Sequence, residues 1–412
     1  MIQLLVAISL FSSLLGIQQG RPPSGAVEVQ NARVEYRFGK EITVQARLKT
    51  DLSVSGAFIF FQFAGGSPET QKITLEQDGD VRYRMDLSQR SIAPFERVYY
   101  WFRVEFADGG EAVSPSFWFD YEDNRFEWQS LEDGLFQAFW YEGDTQFGQQ
   151  VLTTARNGLT ATQKLFPVSP PSHIRLYVYA SPSDLQSAID AAGQTHFAGL
   201  ADPNQATVMV SIQPGQDSEL ELERQIPHEL AHLLLYQAAG QSGYAQLPAW
   251  LSEGLASLSE LYPDADYERT LQAASKADLL IPLDSLCAAL PQDQSTQFLA
   301  YAQSASFTRF LHFTYGLSGM QSLVQAYANG ASCDAGLRQT FNASLLDLES
   351  RWQEEELGGS NVPSPLSAVL TPLQGLIPYA VLFVLVLVIP LFSFLFIRGE
   401  KASKSLPKSR TE

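Results

Sequence analysis

The segment IPHELAHLLLYQ, residues 226–237, constrains the fold more than any other part of the chain. It holds two of the five histidines, His228 and His232, four positions apart, with Glu229 directly after the first. Leucine and alanine surround these residues, which predicts a helix whose histidines are at least half buried. Because buried imidazoles need hydrogen-bond or metal partners, another element of the fold has to supply those partners.

Residues four apart on a helix lie one turn above each other, so His228 and His232 can both reach one metal ion at about 2.0 to 2.1 Å. Glu229 points roughly 100° further around the helix axis. It therefore suits a base for a water molecule on that ion better than it suits a ligand. The spacing predicts one Zn²⁺ ion, with His228 and His232 as two of its ligands.

The stretch LPAWLSEGLASLSE, residues 247–260, offers a third ligand. Pro248 suits the first turn of a new helix, and the leucines that follow form an apolar stripe along it. Glu253 projects away from that stripe. Gly254 beside it removes a Cβ where two helices would have to approach closely to share one ion. We therefore predict that Glu253 completes a three-ligand site with one open position.

The combination of HELAH with the downstream PAWLSEGLA, residues 248–256, resembles the peptidase MA clan, the gluzincins. The likeness is greatest to exported, membrane-anchored bacterial members with the motif W-L-x-E-G-L-A, and it extends more weakly over residues 127–353. It implies a thermolysin-like α+β domain, a protein or peptide substrate, and one bound zinc ion. His228, His232 and Glu253 would be its ligands, and Glu229 would be the general base for a metal-bound water that acts as nucleophile.

The resemblance also implies a hydrogen-bond donor for the oxyanion and a strand edge that pairs with the substrate. Tyr301 is the predicted donor, with Tyr236 and His312 as alternatives. The strand ATVMVSIQ, residues 206–213, is the expected edge, which agrees with the general way in which extended peptides add to sheets.

Two local questions stay open in the sequence. Glu260 and Asp264 are both candidates for the carboxylate that orients a ligand histidine. Pro227 directly precedes His228, and a proline is awkward inside a continuous helix. Either the helix begins at Pro227, or it is kinked there.

The chain between residues 25 and 356 divides into a β-rich part and a mixed part that contains both motifs. Residues 25–123 contain seven short runs of β-branched and aromatic residues separated by turn signals, which predicts an immunoglobulin- or fibronectin-like sandwich that serves as a spacer or recognition module. Residues 127–356 form the predicted peptidase domain, with helical spacing over 130–166, two strands around a short helix, and mostly helical sequence afterwards.

Both ends of the chain carry apolar segments. Residues 1–20 resemble a secretory signal peptide, and the alternative is an uncleaved N-terminal anchor. Residues 376–397 carry no charge and are long enough to span a membrane as a single helix, after a linker at 357–375. The basic tail at 398–412 predicts a cytoplasmic C-terminus. The predicted location is the cell membrane, single-pass, with the N-terminal domains outside the cytoplasm.

The formal net charge of -18 argues against a nucleic-acid partner, because a polyanion would be repelled. The only two cysteines, Cys287 and Cys333, can form a disulfide in an oxidising compartment. The alternative is two free, buried thiols.

Two further functions compete with an endopeptidase. One is a ligand-binding or adhesion ectodomain that keeps the metallopeptidase scaffold without turnover, although such a protein would be expected to lose the base first. The other is an exopeptidase, for which the sequence offers no local acidic motif to hold a free amine.

Overall fold

A computed structural model of the protein describes residues 26–191 and 199–358. The predicted signal peptide, transmembrane helix and basic tail lie outside these residues, as does the predicted linker after residue 358. Among the described helices, none combines the length and the apolar character needed to cross a membrane.

The described chain begins with eight strands in two antiparallel sheets. One sheet has the order β1-β2-β5, and the other has the order β4-β3-β6-β7, with β8 also paired to β6. The strands are β1 (Glu28–Arg37), β2 (Glu41–Lys49), β3 (Val54–Gln62), β4 (Glu69–Ile73), β5 (Asp80–Asp86), β6 (Glu96–Phe106), β7 (Glu111–Val113) and β8 (Phe117–Tyr121).

The two sheets pack face to face because their strands alternate between buried and solvent-facing residues. In β6, Val98, Phe102 and Val104 are fully buried in a core to which both sheets contribute. The seven predicted runs all contain strands, and the last is divided into β7 and β8 around Pro115, which cannot donate a ladder hydrogen bond. The prediction of a β-rich N-terminal part is confirmed.

A five-stranded sheet follows, in the order β12-β13-β11-β10-β9. Strands β10, β11 and β13 are parallel to one another, whereas β9 and β12 are antiparallel to their neighbours. These strands are β9 (Gln129–Asp133), β10 (Phe136–Trp140), β11 (Ile174–Tyr179), β12 (Gly199–Asp202) and β13 (Thr207–Ser211).

Helices make up most of the remainder, as predicted. They are α1 (Thr145–Leu165), α2 (Pro182–Ala191), α3 (Ser218–Ala239), α4 (Gln241–Tyr244), α5 (Ala249–Ser259), α6 (Ala265–Lys276), α7 (Gln294–Ala328), α8 (Cys333–Phe341) and α9 (Leu345–Trp352). A 3-10 helix (Leu283–Leu286) precedes α7, and a π-helical turn (Gln353–Leu357) follows α9. Helix α7 is interrupted at Gly316, where φ is 68°.

The prediction of helical structure over residues 130–166 is wrong for its first part. Strands β9 and β10 form an antiparallel hairpin there, turning at Gly134 with φ of 64°. The Asp133-Gly134 pair is a strong hairpin signal between two strands, and it overrides the helical spacing. The helix begins only at Thr145, where the Asp144 side chain accepts a hydrogen bond from the Phe147 backbone N–H.

Strand β11 is buried on both faces and connects two apolar cores. Ile174, Leu176 and Val178 pack with the helices, whereas Tyr177 and Tyr179 pack with the core of the N-terminal sandwich. Side chains of a strand alternate between its faces, so one strand serves both cores. The sandwich is thus packed directly against the sheet that precedes α3.

The disulfide between Cys287 and Cys333 is present, which confirms that prediction. Its two cysteines also contact the start of α5. The Cys287 carbonyl accepts a hydrogen bond from the Ala249 backbone N–H at 3.0 Å, and the Trp250 indole donates to Cys333 Sγ at 3.3 Å. The bridge therefore ties the first turn of α5 to α8.

Candidate active site

Helix α3 begins at Ser218, so the alternative in which Pro227 opens the helix is wrong. Pro227 lies in the buried interior of α3, directly before His228. A proline has no N–H to donate to the carbonyl four residues earlier. That carbonyl, of Glu223, instead accepts a hydrogen bond from the backbone N–H of Leu261 at 2.9 Å.

Three side chains from α3 and α5 converge at one point. Glu253 Oε2 lies 3.2 Å from His228 Nε2 and 3.6 Å from His232 Nε2. One ligand atom from each residue can be chosen so that all lie within 4.8 Å of one another. The structure thus brings together the three residues that the sequence predicts as zinc ligands.

The outer nitrogen of each imidazole has a partner of its own. His228 Nδ1 lies 3.0 Å from Glu260 Oε1, and the Glu260 side chain is only 2% exposed. His232 Nδ1 lies 3.2 Å from the Tyr244 hydroxyl and 3.4 Å from Ser252 Oγ. Such contacts hold each ring with its Nε2 directed at the common point.

Two of the three separations between these donor atoms fit a tetrahedral metal. Ligands at about 2.0 to 2.2 Å from one ion lie roughly 3.3 to 3.6 Å from each other in a tetrahedron. Glu253 Oε2 lies 3.2 Å from His228 Nε2 and 3.6 Å from His232 Nε2. Two imidazoles and one carboxylate also form the ligand set of a catalytic zinc site, which keeps a further position open.

The charges around this point favour a cation. Burial acts to lower the pKa of His228, but hydrogen bonds to the Glu253 and Glu260 carboxylates raise it well above its usual range. Burial acts to raise the pKa of Glu253, but the His232 and His228 imidazoles outweigh it and lower the pKa. A divalent ion would replace the imidazole proton as the positive charge in this cluster.

The Glu229 carboxylate lies against strand β12. Its pKa is raised by burial, although the His232 and His228 imidazoles act to lower it. The Ala201 backbone N–H also acts to lower it. A Cβ on Gly199 would lie 2.5 Å from Glu229 Oε1, so only glycine at that position allows this approach.

The edge of the sheet beside Glu229 is β12 and not the predicted strand at 206–213. That segment forms β13, which is paired on one side with β11 and on the other with β12. The expectation that it forms the edge is wrong because the short strand β12 folds back antiparallel and covers it. Residues Gly199–Asp202 were not predicted as a strand.

The structure separates the candidate oxyanion donors. The Tyr301 ring lies 6.3 Å from the His228 ring, and burial raises the pKa of its phenol. The Tyr236 hydroxyl instead donates to Asn204 Oδ1 at 2.8 Å. His312 lies on α7 with its ring 6.3 Å from that of Phe313, and it is not among the residues that line the site.

Gly254 allows a close approach, but to a different helix than the sequence suggests. A Cβ at this position would lie 2.0 Å from Thr308 Oγ1 and 2.4 Å from the Ser304 carbonyl oxygen, both on α7. The expectation that Gly254 permits contact between the two helices that hold the ligands is therefore wrong. It lets α7, which carries Tyr301, pack closely behind α5.

A cavity of about 750 Å³ opens beside His228 and Glu229. Its aromatic lining comes from α6 and α7 and includes Tyr267, Phe298 and Tyr301. This volume is in the range of ordinary ligand-binding sites. The cavity can therefore accept part of a substrate next to the ligand cluster.

The other acidic side chains of this cavity already have partners. Glu221 and Asp264 each lie 3.3 Å from Arg224 Nη1, and Glu260 contacts His228. Of the two predicted candidates for orienting a histidine, the structure therefore selects Glu260. Asp264 instead pairs with the arginine and caps α6.

Sequence reasoning missed three contributors to the site: Tyr244, Ser252 and Gly199. Tyr244 contacts His232 from α4, and Ser252 contacts it from the first turn of α5, directly before Glu253. Neither carries a spacing signal, because each reaches the histidine from a separate helix.

Comparisons with known proteins agree with this geometry. The model of the Peptidase MA superfamily matches residues 154–357. No curated protein matches the chain.

Several similar solved structures are remote in sequence. An aminopeptidase N family protein from Idiomarina loihiensis is 9% identical, with 80% of this chain and 75% of that chain covered and a TM-score of 0.38. A variant of an M1 zinc metallopeptidase from Deinococcus radiodurans is 11% identical, with 83% and 95% covered and a TM-score of 0.35. A β-1,3-glucan-binding domain of carbohydrate-binding module family 56 covers 22% of this chain and 98% of its own, at 9% identity and a TM-score of 0.17.

Scores this low transfer no residue role, so the assignment depends on the family match and on the ligand cluster within it. Residues 154–357 match the Peptidase MA superfamily and hold the ligand cluster, which supports, in general terms, a zinc peptidase.

Proposed function

We propose that the protein is a zinc-dependent endopeptidase that cleaves protein or peptide substrates outside the cytoplasmic membrane. The observation that carries this proposal is the convergence of His228, His232 and Glu253, with the Glu229 carboxylate close by against strand β12. Three ligands and a separate buried carboxylate are the parts that metal-assisted hydrolysis requires.

When bound, the zinc ion acts as a Lewis acid that polarises the scissile carbonyl and activates a water molecule. Glu229 accepts a proton from the attacking water and then donates it to the nitrogen of the leaving amine. Burial raises the pKa of Glu229 despite the nearby imidazoles, which makes its carboxylate a better proton acceptor. The close approach of Gly199 in β12 holds that carboxylate in place.

Tyr301 is the proposed donor to the oxyanion. Its ring lies beside that of His228, and burial together with the Glu253 and Glu229 charges raises the pKa of the phenol. The hydroxyl therefore keeps its proton and can donate a hydrogen bond as negative charge develops on the substrate oxygen.

The substrate is proposed to bind in extended form along the open edge of β12 (Gly199–Asp202). Main-chain hydrogen bonds to a sheet edge hold a peptide irrespective of its sequence. An exopeptidase would need free acidic groups for the terminal amine. Glu221, Asp264 and Glu260 in the adjoining cavity are instead engaged by Arg224 or His228, which favours cleavage within a chain.

The proposed location outside the cytoplasm is supported by the disulfide between Cys287 and Cys333, since disulfides persist mainly in oxidising compartments. The apolar segment 376–397 is the proposed single membrane anchor, with the basic tail in the cytoplasm. Digestion of intact spheroplasts with an added protease tests this: an uncut 26–358 portion would contradict it.

We further propose that the N-terminal sandwich is of the immunoglobulin or fibronectin class and that the following domain is thermolysin-like. Antiparallel sheets of three and five strands with a shared core support the first assignment. The two-helix ligand arrangement supports the second.

The function is tested with purified full-length protein and internally quenched peptides blocked at both termini. We expect one zinc per chain in the wild type, little in His232→Ala, and cleavage that is lost in Glu229→Gln with its zinc retained. Glu219→Gln on the exposed first turn of α3 is the matched control and should cleave normally. A wild type without metal would contradict the proposal, and equal activity in Glu229→Gln would favour a scaffold that binds without turnover.

A further inference from the structure

Helix α3 is continuous, but it lacks one backbone hydrogen bond directly before the first histidine. In an α-helix each N–H bonds to the carbonyl four residues earlier, and proline cannot make that bond. Pro227 therefore leaves the Glu223 carbonyl without its helical partner. Proline is among the least favourable residues in a helix interior, so its presence here needs a reason.

The released carbonyl is used by another part of the chain. Glu223 O accepts the backbone N–H of Leu261 at 2.9 Å. Leu261 directly follows Glu260, whose Oε1 lies 3.0 Å from His228 Nδ1. A backbone contact and a side-chain contact, on adjacent residues, thus join the end of α5 to α3 on either side of Pro227.

Glu260 depends on such an anchor because it lies outside the regular structure of α5. The helix ends at Ser259, and Glu260 has extended dihedral angles of φ -60° and ψ 134°. Its own backbone N–H makes only a long contact of 3.3 Å to the Ser257 carbonyl. The position of its buried carboxylate is therefore set largely by where the chain goes at Leu261.

We propose that Pro227 is a positioning residue for the metal site. By withholding an N–H from the Glu223 carbonyl, it reserves that carbonyl for Leu261 and so fixes Glu260 against His228. This proposal rests on the proposed zinc site, and it assigns the orientation of the His228 ring to the backbone of the preceding residue, Pro227, whose own side chain supplies no ligand to the ion.

A packing role is the competing explanation. A Cβ on Gly158 of α1 would lie 2.8 Å from Pro227 Cγ, so the ring fills the contact between α1 and α3. Pro227→Ala removes the ring and restores the N–H, whereas Pro227→Val restores the N–H and keeps most of the volume. The two variants therefore separate the missing donor from the lost volume.

The experiment uses full-length protein with three readouts: hydrogen exchange of the Leu261 amide in the metal-free state, zinc affinity by competition with a chromophoric chelator, and thermal unfolding of the metal-free protein. We expect both variants to exchange Leu261 faster, to bind zinc about tenfold more weakly, and to unfold at no lower temperature than the wild type. In a Glu260→Gln background, Pro227→Val should cause no further loss of zinc affinity.

Unchanged Leu261 exchange in Pro227→Val would overturn the proposal, and so would a loss of zinc affinity confined to Pro227→Ala, which would indicate packing. Additive losses in the double variant would also overturn it, because Pro227 would then act independently of Glu260. If the wild type binds no zinc, the proposed function fails and this role fails with it. Faster exchange of the Leu261 amide in the Pro227 variants would then support only the role of Pro227 in the hydrogen bond between the Leu261 N–H and the Glu223 carbonyl.

Discussion

Gly199→Ala tests whether the approach of strand β12 positions Glu229 as the general base. The added Cβ would lie 2.5 Å from Glu229 Oε1, 2.9 Å from Cδ and 3.0 Å from Cγ. An ordinary contact begins near 3.4 Å, so either the carboxylate or the strand must move by about 0.9 Å. The three proposed zinc ligands are on α3 and α5, and this change leaves them untouched.

A displacement of roughly 1 Å at a catalytic group can lower the rate on the order of a hundredfold, which equals about 2.7 kcal/mol of activation free energy. We therefore expect kcat of Gly199→Ala to fall by about that factor on a blocked, internally quenched peptide. Zinc content, measured by mass spectrometry of metals, should stay at the wild-type level.

Gly215→Ala is the matched control, because a Cβ there would meet no atom within 4 Å. It should retain wild-type kcat. A Gly199→Ala protein with full zinc and unchanged kcat would refute the assignment of Glu229 as a base held by β12. Loss of zinc in Gly199→Ala would refute the view that β12 positions Glu229 without affecting zinc binding by the residues of α3 and α5.

Three further changes have defined outcomes. Glu260→Gln should weaken zinc binding by about 10- to 100-fold in a chelator competition, because it removes the carboxylate that orients a ligand imidazole; unaltered affinity would contradict that role. Tyr301→Phe should lower kcat by about a hundredfold or more at constant zinc content. Tyr236→Phe should leave kcat unchanged in the same steady-state assay. Equal kcat values for the two variants would exclude Tyr301 as the oxyanion donor. Replacing Cys287 and Cys333 by serine should lower the free energy of unfolding in guanidinium by roughly 4 kcal/mol, the loop-closure value for their separation of 46 residues, and a loss near zero would mean that the bridge adds nothing to stability.

Patterns within one element were predicted well, and those that needed a second element were not. The β-rich character of the first part follows from alternating residues, and β2 to β6 lie where the apolar runs predict them. The hairpin at Gly134 was missed because the residues around it also satisfy a helical period, and only pairing between β9 and β10 decides between them.

The edge strand illustrates a different limit. The segment at 206–213 has the composition of a strand, and it is one, but composition does not indicate which strands lie beside it. The short β12 occupies that edge and brings Gly199 to Glu229. Neighbours in a sheet are determined by tertiary packing, so the substrate edge could not be located from the segment alone.

Helical period alone places His228 and His232 on one helix face with Glu229 turned away, so the sequence is enough to predict this. The sequence also indicates Glu253, since a second amphipathic helix with an outward carboxylate follows closely. The packing of separate elements, in contrast, is what shows that Glu260 rather than Asp264 holds His228 and that the interior Pro227 releases a carbonyl for Leu261. These contacts join separate elements, and periodicity within one element contains no information about which others it meets.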